Sequence, residues 1–281
     1  MVCLNNLDSF NIYQILECGQ CFRFLEIEKN CYKLIAHGRV LTVKQTDELV
    51  EFSCTQSEYD SIWARYFDMG RDYGRLKAVI SKNDPIMEEA IAHAPGIRLL
   101  NQDFWEMVVS FIISQNNRIP MIKKVIENIC RKYGDPIEGA EGSFTFPKAE
   151  QLALAGIPDL MELKTGFRAK YILDAVDKRL SGLLDENELK TLETDEIKER
   201  LTSVHGIGDK VAHCILLFGL GRMDVFPTDV WIRRIISELY FGGETVPLKT
   251  IQEFAKDRWG ENSGIAQQYL FHYARVNKIG K

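Results

Sequence analysis

Strand character is confined to one short stretch of this chain, and that confinement sets its architecture. Between residues 21 and 54, apolar and polar residues partly alternate in four runs: Cys21–Glu28, Cys31–Ala36, Arg39–Gln45 and Glu48–Cys54. Lys29-Asn30, His37-Gly38 and Thr46-Asp47 separate them as two-residue turns, so the runs predict an antiparallel meander. Thr55-Gln56-Ser57-Glu58 has the form of a capping box and predicts a helix from about Gln56 to Phe67. Beyond it the periodicity is helical. Asp84-Pro85 opens a helix that ends near Ala94-Pro95-Gly96, and Phe104–Ser114, apolar on most faces, predicts a buried central helix. Ile119-Pro120 opens another, with proline at N1 and Gly134 at C′. A Gly- and Pro-containing loop follows to Pro147. Lys148–Ala155, Pro158–Leu163, Phe167–Leu180, Thr194–Ser203, Lys249–Trp259 and Gly264–Lys278 complete the helical pattern. The expected fold class is α+β: a small N-terminal antiparallel sheet domain over residues 1–83, packed on a mostly α-helical body over 84–281.

Bulk properties narrow the setting. No apolar run reaches the roughly 18–20 residues that cross a bilayer, so no membrane association is expected. The start, M-V-C-L-N-N-L-D-S-F, has neither a basic region nor a long apolar core, unlike a signal peptide. An intracellular protein is expected: cytoplasmic or nucleoid-associated in a bacterium, nuclear in a eukaryote. Seven cysteines, an odd number, suit free thiols better than a disulfide framework. Cys18-Gly19-Gln20-Cys21 reads C-x-x-C, but it precedes antiparallel strands rather than opening a helix, which weighs against redox chemistry. No second such pair exists for a zinc ribbon or an iron–sulfur cluster. Neither metal nor cofactor is expected. A net charge of −5 disfavours a surface that binds nucleic acid all over, yet helix termini and backbone amides bind phosphate without adding net charge.

Chemistry concentrates between Leu201 and Arg234. Gly206-Ile207-Gly208 sits between two helical segments, Ile207 can plug the core, and the apolar run from Val211 to Phe218 follows. Glycines at that turn leave amides free at the positive end of a helix, a site for a phosphate oxygen. The plain alternative is a structural helix corner. Lys210 lies in the first helical turn, and Asp229 precedes the next apolar run, Val230–Leu239. Taken singly, the lysine reads as a solvated charge and the aspartate as an N-cap worth about 1 kcal/mol. Taken together, 19 residues apart across one helix and a loop, they can face one cleft. A lysine amine forms Schiff bases with carbonyl carbons such as an opened sugar C1′. A carboxylate stabilises positive charge developing on that sugar.

The hairpin, the intervening helix and Pro227-x-Asp229 resemble the helix–hairpin–helix, Gly/Pro…Asp (HhH-GPD) superfamily of DNA glycosylases. The resemblance implies excision of a base from a flipped nucleotide. In that superfamily a lysine at the position of Lys210 marks members that are also abasic-site lyases. Further segments resemble 8-oxoguanine DNA glycosylases in one consistent order: Gly19-Gln20-Cys21-Phe22-Arg23-Phe24, Phe111–Asn117, Gly166-Phe167-Arg168-Ala169-Lys170-Tyr171, and Trp259-Gly260 through Gln267 and Phe271. Together they run from about Cys18 to Phe271, nearly the whole chain.

The resemblance implies a role for each residue. Lys210 and Asp229 would be catalytic. Gly19 would present a backbone carbonyl to the N7–H of 8-oxoguanine, where normal guanine has only an acceptor. Phe271 would stack on the flipped base, Gln267 would bond its Watson–Crick edge, and Cys214 would pack on its other face. Asn116, with Asn117 beside it, would fill the gap in the duplex. Phe167 would wedge into the stack, Arg168 would reach the orphaned base, and Gly206 and Gly208 would hold the strand. Three positions depart from the common pattern: Phe167 for a tyrosine, Met121 for a second arginine, and Trp231 for a histidine. Methionine makes no charge-assisted bond to cytosine, which predicts a relaxed preference for the opposite base. The implied protein is a monomeric enzyme acting on double-stranded DNA with oxidised guanine. Two other readings stay open on the residues themselves: an alkylated-base glycosylase using Asp229 and water, and a non-catalytic DNA-binding protein using the hairpin alone.

Overall fold

The computed structural model describes residues 1–280 and places one five-stranded antiparallel sheet at the N-terminal end. The strands are β1 (Val2–Asn5), β2 (Phe24–Glu28), β3 (Cys31–Ala36), β4 (Arg39–Thr46) and β5 (Leu49–Phe52), in the order β1-β5-β4-β3-β2. The four predicted runs form the meander, with Asn30, His37, Gly38 and Asp47 at positive φ in the predicted turns. The first run is shorter than expected. Strand geometry starts at Phe24, because Phe22 turns into the helical body and meets Phe111 edge-on, ring centroids 5.7 Å apart. β1 was not predicted. Four residues show too little alternation, and only long-range pairing such as Val2 with Phe52 makes them a strand.

The capping box at Thr55 forms as expected, with its side chain accepting from the Glu58 amide and the Glu58 carboxylate accepting from Thr55. The helix it opens is interrupted by a π turn over Tyr59–Trp63. Three helices escaped prediction: Ile12–Glu17, Tyr73–Ile80 and Glu186–Leu189. Each begins at a side-chain cap, on Asn11, Asp72 and Asp185, so the start signals were in the sequence. The first and third are too short to display a helical period.

Two cores divide the packing. The smaller lies between the sheet and the Thr55–Phe67 segment and is built on Tyr32, Leu41, Phe52, Trp63 and Phe67. The larger surrounds Phe104–Ser114, ten of whose eleven residues are buried. Cys18, Phe22 and the helix Tyr73–Ile80 belong to the larger core although they precede residue 84, where the helical body was expected to begin. The two packing units therefore interleave along the chain. Arg98 ties them together: its guanidinium donates to the carbonyls of Ser9, Asp68 and Asp8, each at 2.8 Å, and lies over the Tyr73 ring. A buried ion pair, Arg23 with Glu106 at 3.5 Å, sits in the same seam, where burial pushes the Glu106 carboxyl up to about 7.

Gly134 closes the helix Ile119–Tyr133, but not as the left-handed C′ residue the sequence suggested. Its backbone is extended, φ −82° and ψ 163°. What requires glycine is proximity, since a Cβ there would lie 2.1 Å from the Thr145 carbonyl oxygen. Gly134→Ala should therefore destabilise the fold by about 1–3 kcal/mol through overpacking. A urea or thermal melt checks this, and an unchanged midpoint would contradict it.

Candidate active site

The hairpin lies between the helices Thr194–Thr202 and Asp209–Leu220. Val204 and Ile207 are buried and anchor it to the larger core. Gly206 has φ +87°, and a Cβ there would fall 2.4 Å from ring atoms of Tyr171. The Tyr171 ring also meets His205 at 4.9 Å and Phe167 at 5.8 Å between centroids. The hairpin and Phe167 thus share one aromatic support. Gly208 is the N-cap of the second hairpin helix and offers no side-chain acceptor. The first amides of that helix stay open to an anion. Asp209 would oppose an anion there, but it pairs with Lys198 at 2.9 Å, a bond that holds its carboxyl below the usual range.

Lys210 follows, half-buried, with Nζ 5.6 Å from the centroid of Phe111. Asp229 caps the helix Val230–Tyr240, its Oδ1 accepting from the Ile232 amide at 2.8 Å. The capping function is therefore real, and it occupies one carboxylate oxygen. Lys210 and Asp229 line the same cleft of about 830 Å³, together with Asn116, Asn117, Gly208 and Trp231. The structure thereby brings together the expected nucleophile, its carboxylate, the phosphate-binding amides and the end of the buried helix.

The expected base-reading residues lie behind that wall. Gly19 has φ +87°, and its Cβ position is 3.2 Å from the Phe271 ring. Gln267 is buried one turn before Phe271, and its Oε1 accepts from Gln268 at 2.7 Å. Cys214 is buried one turn after Lys210. Burial pushes its thiol up, while the neighbouring Lys210 opposes that shift. Trp231 links the cleft to Phe271: it lines the cleft, its ring meets Phe271 edge-on at 4.9 Å, and its indole donates to the Ile279 carbonyl at 3.2 Å.

Sequence reasoning missed the residue that fixes the peptide beside Gly19. Gln20 is fully buried. Its Nε2 donates to the carbonyls of Ile15 and Arg98 at 2.9 and 2.8 Å, and its Oε1 accepts from the Leu100 amide at 2.8 Å. Its own carbonyl accepts from Gln102. The peptide next to Gly19 is thus held on several sides. A glutamine between two cysteines, two residues before Phe22, was the available signal. The flanking Cys18 and Cys21 are buried thiols, pushed by burial up to about 12 and well above the usual range, respectively. Burial of this kind disfavours the thiolate that redox exchange requires.

The expected helix-opening residues divide. Asn116 is exposed at φ +46°, past the end of the buried helix, and its side chain has no protein partner among the described residues. Phe167 stands half exposed. Asn117 is committed internally: its amide donates to the Ile113 carbonyl at 3.2 Å and its oxygen accepts from Arg118 at 2.9 Å. These bonds close the helix, while the residue also lines the cleft. Arg168, expected to reach toward DNA, is only 7% exposed and donates to carbonyls of its own protein. Met121 is exposed in the first turn of the following helix.

Known proteins resemble this chain along its length. Residues 2–108 match the family model of the 8-oxoguanine DNA glycosylase N-terminal domain, and residues 109–261 match that of HhH-GPD superfamily base excision DNA repair proteins. The N-glycosylase/DNA lyase of Saccharomyces cerevisiae is 34% identical over 264 residues, 84% of this chain and 69% of that protein. A probable N-glycosylase/DNA lyase of Methanothermobacter thermautotrophicus is 33% identical over 201 residues, and the match spans 64% of each chain, just under two thirds. Among solved structures, the Clostridium acetobutylicum 8-oxoguanine glycosylase/lyase, bound to double-stranded DNA containing cytosine opposite 8-oxoguanine, is 40% identical with a TM-score of 0.93, covering 99% of this chain and 96% of that one. With both segments matched in order and the hairpin, Lys210 and Asp229 gathered on one cleft, the chain belongs to the HhH-GPD superfamily of base excision DNA repair proteins and carries the N-terminal domain of 8-oxoguanine DNA glycosylases.

Proposed function

We propose that this protein is a bifunctional DNA glycosylase that excises 8-oxoguanine from duplex DNA and cleaves the resulting abasic site. The observation that carries the reading is Lys210 on the wall of a cleft that also holds Asp229 and the hairpin amides. The hairpin binds the strand through backbone amides, and the nucleotide swings into the cleft. The Lys210 amine attacks C1′; the N–C1′ bond forms as the glycosidic bond breaks, and the base leaves with a proton. The C1′–O4′ bond then breaks as the C1′=N double bond forms, O4′ takes a proton from water, and the ring-opened sugar is held as a protonated Schiff base. Loss of a C2′ proton then breaks the C3′–O bond and releases the 3′ phosphate. Asp229 stabilises positive charge as it develops on the sugar.

Selection of the lesion rests on the Gly19 carbonyl. It accepts from the N7–H of 8-oxoguanine and repels the N7 lone pair of guanine. An unsatisfied or clashing polar group in a closed pocket costs about 1–3 kcal/mol. Phe271, Gln267 and Cys214 bind the ring and its edge. Trp231 backs Phe271 where relatives commonly have histidine.

With duplexes carrying 8-oxoguanine, borohydride should trap a covalent protein–DNA adduct. Lys210→Gln should abolish trapping and slow excision by roughly 10³-fold or more. Excision retained in that variant would mean that the nucleophile is another group, and release of alkylated bases without trapping would favour a water-using glycosylase. Gly19→Ala adds a Cβ 3.2 Å from the Phe271 ring at a φ of +87°. It should reduce excision of 8-oxoguanine by roughly 10- to 100-fold, the equivalent of one lost polar contact. Equal rates for variant and wild type would remove Gly19 from recognition. Opposite-base preference should be shallow, because Met121 cannot make the bidentate pair worth about 1–3 kcal/mol. Single-turnover rates opposite cytosine and adenine should differ by less than about 100-fold, and a larger ratio would contradict this.

A further inference from the structure

A carbonyl acceptor at Gly19 does not separate every oxidised purine. 8-Oxoguanine and 8-oxoadenine both carry N7–H, so the acceptor meets the two alike. They differ on the Watson–Crick edge. The guanine type presents O6, an acceptor, beside N1–H, a donor. The adenine type presents its N6 amino group, a donor, beside N1, an acceptor. A primary amide pairs with either edge by turning over, because its oxygen and nitrogen exchange places. A glutamine at this edge therefore separates the two lesions only if its amide is held one way round.

Gln267 is held by its neighbour. Gln268 is only 3% exposed, and its Nε2 donates to Gln267 Oε1 at 2.7 Å. Gln267 Nε2 bonds no protein group among the described residues. Adjacent residues of a helix do not ordinarily face each other, so helical spacing alone does not produce this bond. Gln268 is also a poor choice for packing. Its Oε1 is buried without a partner, a stability cost that an apolar side chain of similar length avoids. The same orphan oxygen fixes the polarity of the pair. With both amides turned over, Gln267 would donate to Gln268, and the Gln268 amino group would take the partnerless position. That strands two donors in place of one acceptor, and buried unpaired N–H groups are rarer than unpaired C=O groups.

We infer that Gln268 is a positioning residue for Gln267: it fixes which end of the Gln267 amide is oxygen, so that the site takes guanine-type edges and refuses adenine-type ones. Gln267 Nε2 then donates to O6, and the second lone pair of Oε1 accepts from N1–H. 8-Oxoadenine would set its amino group against an N–H and its N1 against an oxygen. The inference deepens the glycosylase reading above and rests on it.

Single-turnover excision of 8-oxoguanine opposite cytosine and of 8-oxoadenine opposite thymine tests it. The proteins are wild type, Gln268→Met, Gln267→Met and the double variant, each checked by thermal melting. Wild type should favour 8-oxoguanine by roughly 10-fold or more, the equivalent of one repelled polar contact. Gln268→Met frees the Gln267 amide to turn over, so excision of 8-oxoadenine should rise and the ratio should fall by at least about 5-fold. In the Gln267→Met background the second change should leave the ratio where the first put it, because both act through one amide. Gln268→Leu replaces Gln268→Met if that variant does not fold. Equal excision of the two lesions by wild type overturns the inference whatever the variants do. An unchanged ratio in Gln268→Met, a loss common to both lesions, or a ratio shift that persists without Gln267 also overturns it. A wild type inactive on both duplexes would instead sink the glycosylase reading, and this inference with it.

Discussion

The site depends on the packing of two apolar helices, Phe104–Ser114 and Asp209–Leu220. Neither has a polar face wide enough to meet water, so each must cover the other. Phe111 stacks on Phe218 with centroids 5.4 Å apart, and Gly219 allows close approach to Phe104 and Met107. The helices run antiparallel, so the C-terminal end of one meets the N-terminal end of the other. Lys210, over the Phe111 ring, faces the turn that carries Asn116. Burial of apolar surface, the dominant driving force of folding, thereby sets the distance between Lys210 and the turn that carries Asn116.

A second dependence runs through polar groups. The loop with Gly19 leaves the small sheet core and enters the larger core at Cys18 and Phe22. It crosses a seam held by Gln20 and Arg98, whose donors and acceptors meet backbone groups from distant parts of the chain. Buried amides and guanidinium groups are costly unless fully bonded. Once bonded, they admit few alternative arrangements. A carbonyl that discriminates between a donor and an acceptor needs such a fixed position, because its energetic advantage vanishes if the peptide can rotate.

Much of this is legible in the sequence. The meander, the buried helix and the hairpin helices follow from periodicity, turn residues and caps, which are local. Lys210, Asp229, Asn116, Phe167 and Gly19 stand out through spacing and resemblance, and the structure puts the first three on one cleft and Gly19 against Phe271. β1 and the short helices escaped because four to six residues carry no period, and their partners lie far along the chain. The need for glycine at position 134 was visible, but its reason was not, since close approach of Thr145 is a non-local fact.

Sequence by itself determined which residue types could do chemistry and where helices begin, because both depend on neighbours within a few positions. Only the tertiary structure decided what each polar group is free to do. Asn116 and Asn117 are adjacent and chemically identical, yet one amide is exposed and the other closes a helix. Arg168 carries the charge expected of a DNA contact and is enclosed by its own backbone carbonyls. Hydrogen-bonding capacity is a property of the side chain, but its availability depends on which unpaired backbone groups the fold brings within about 3 Å.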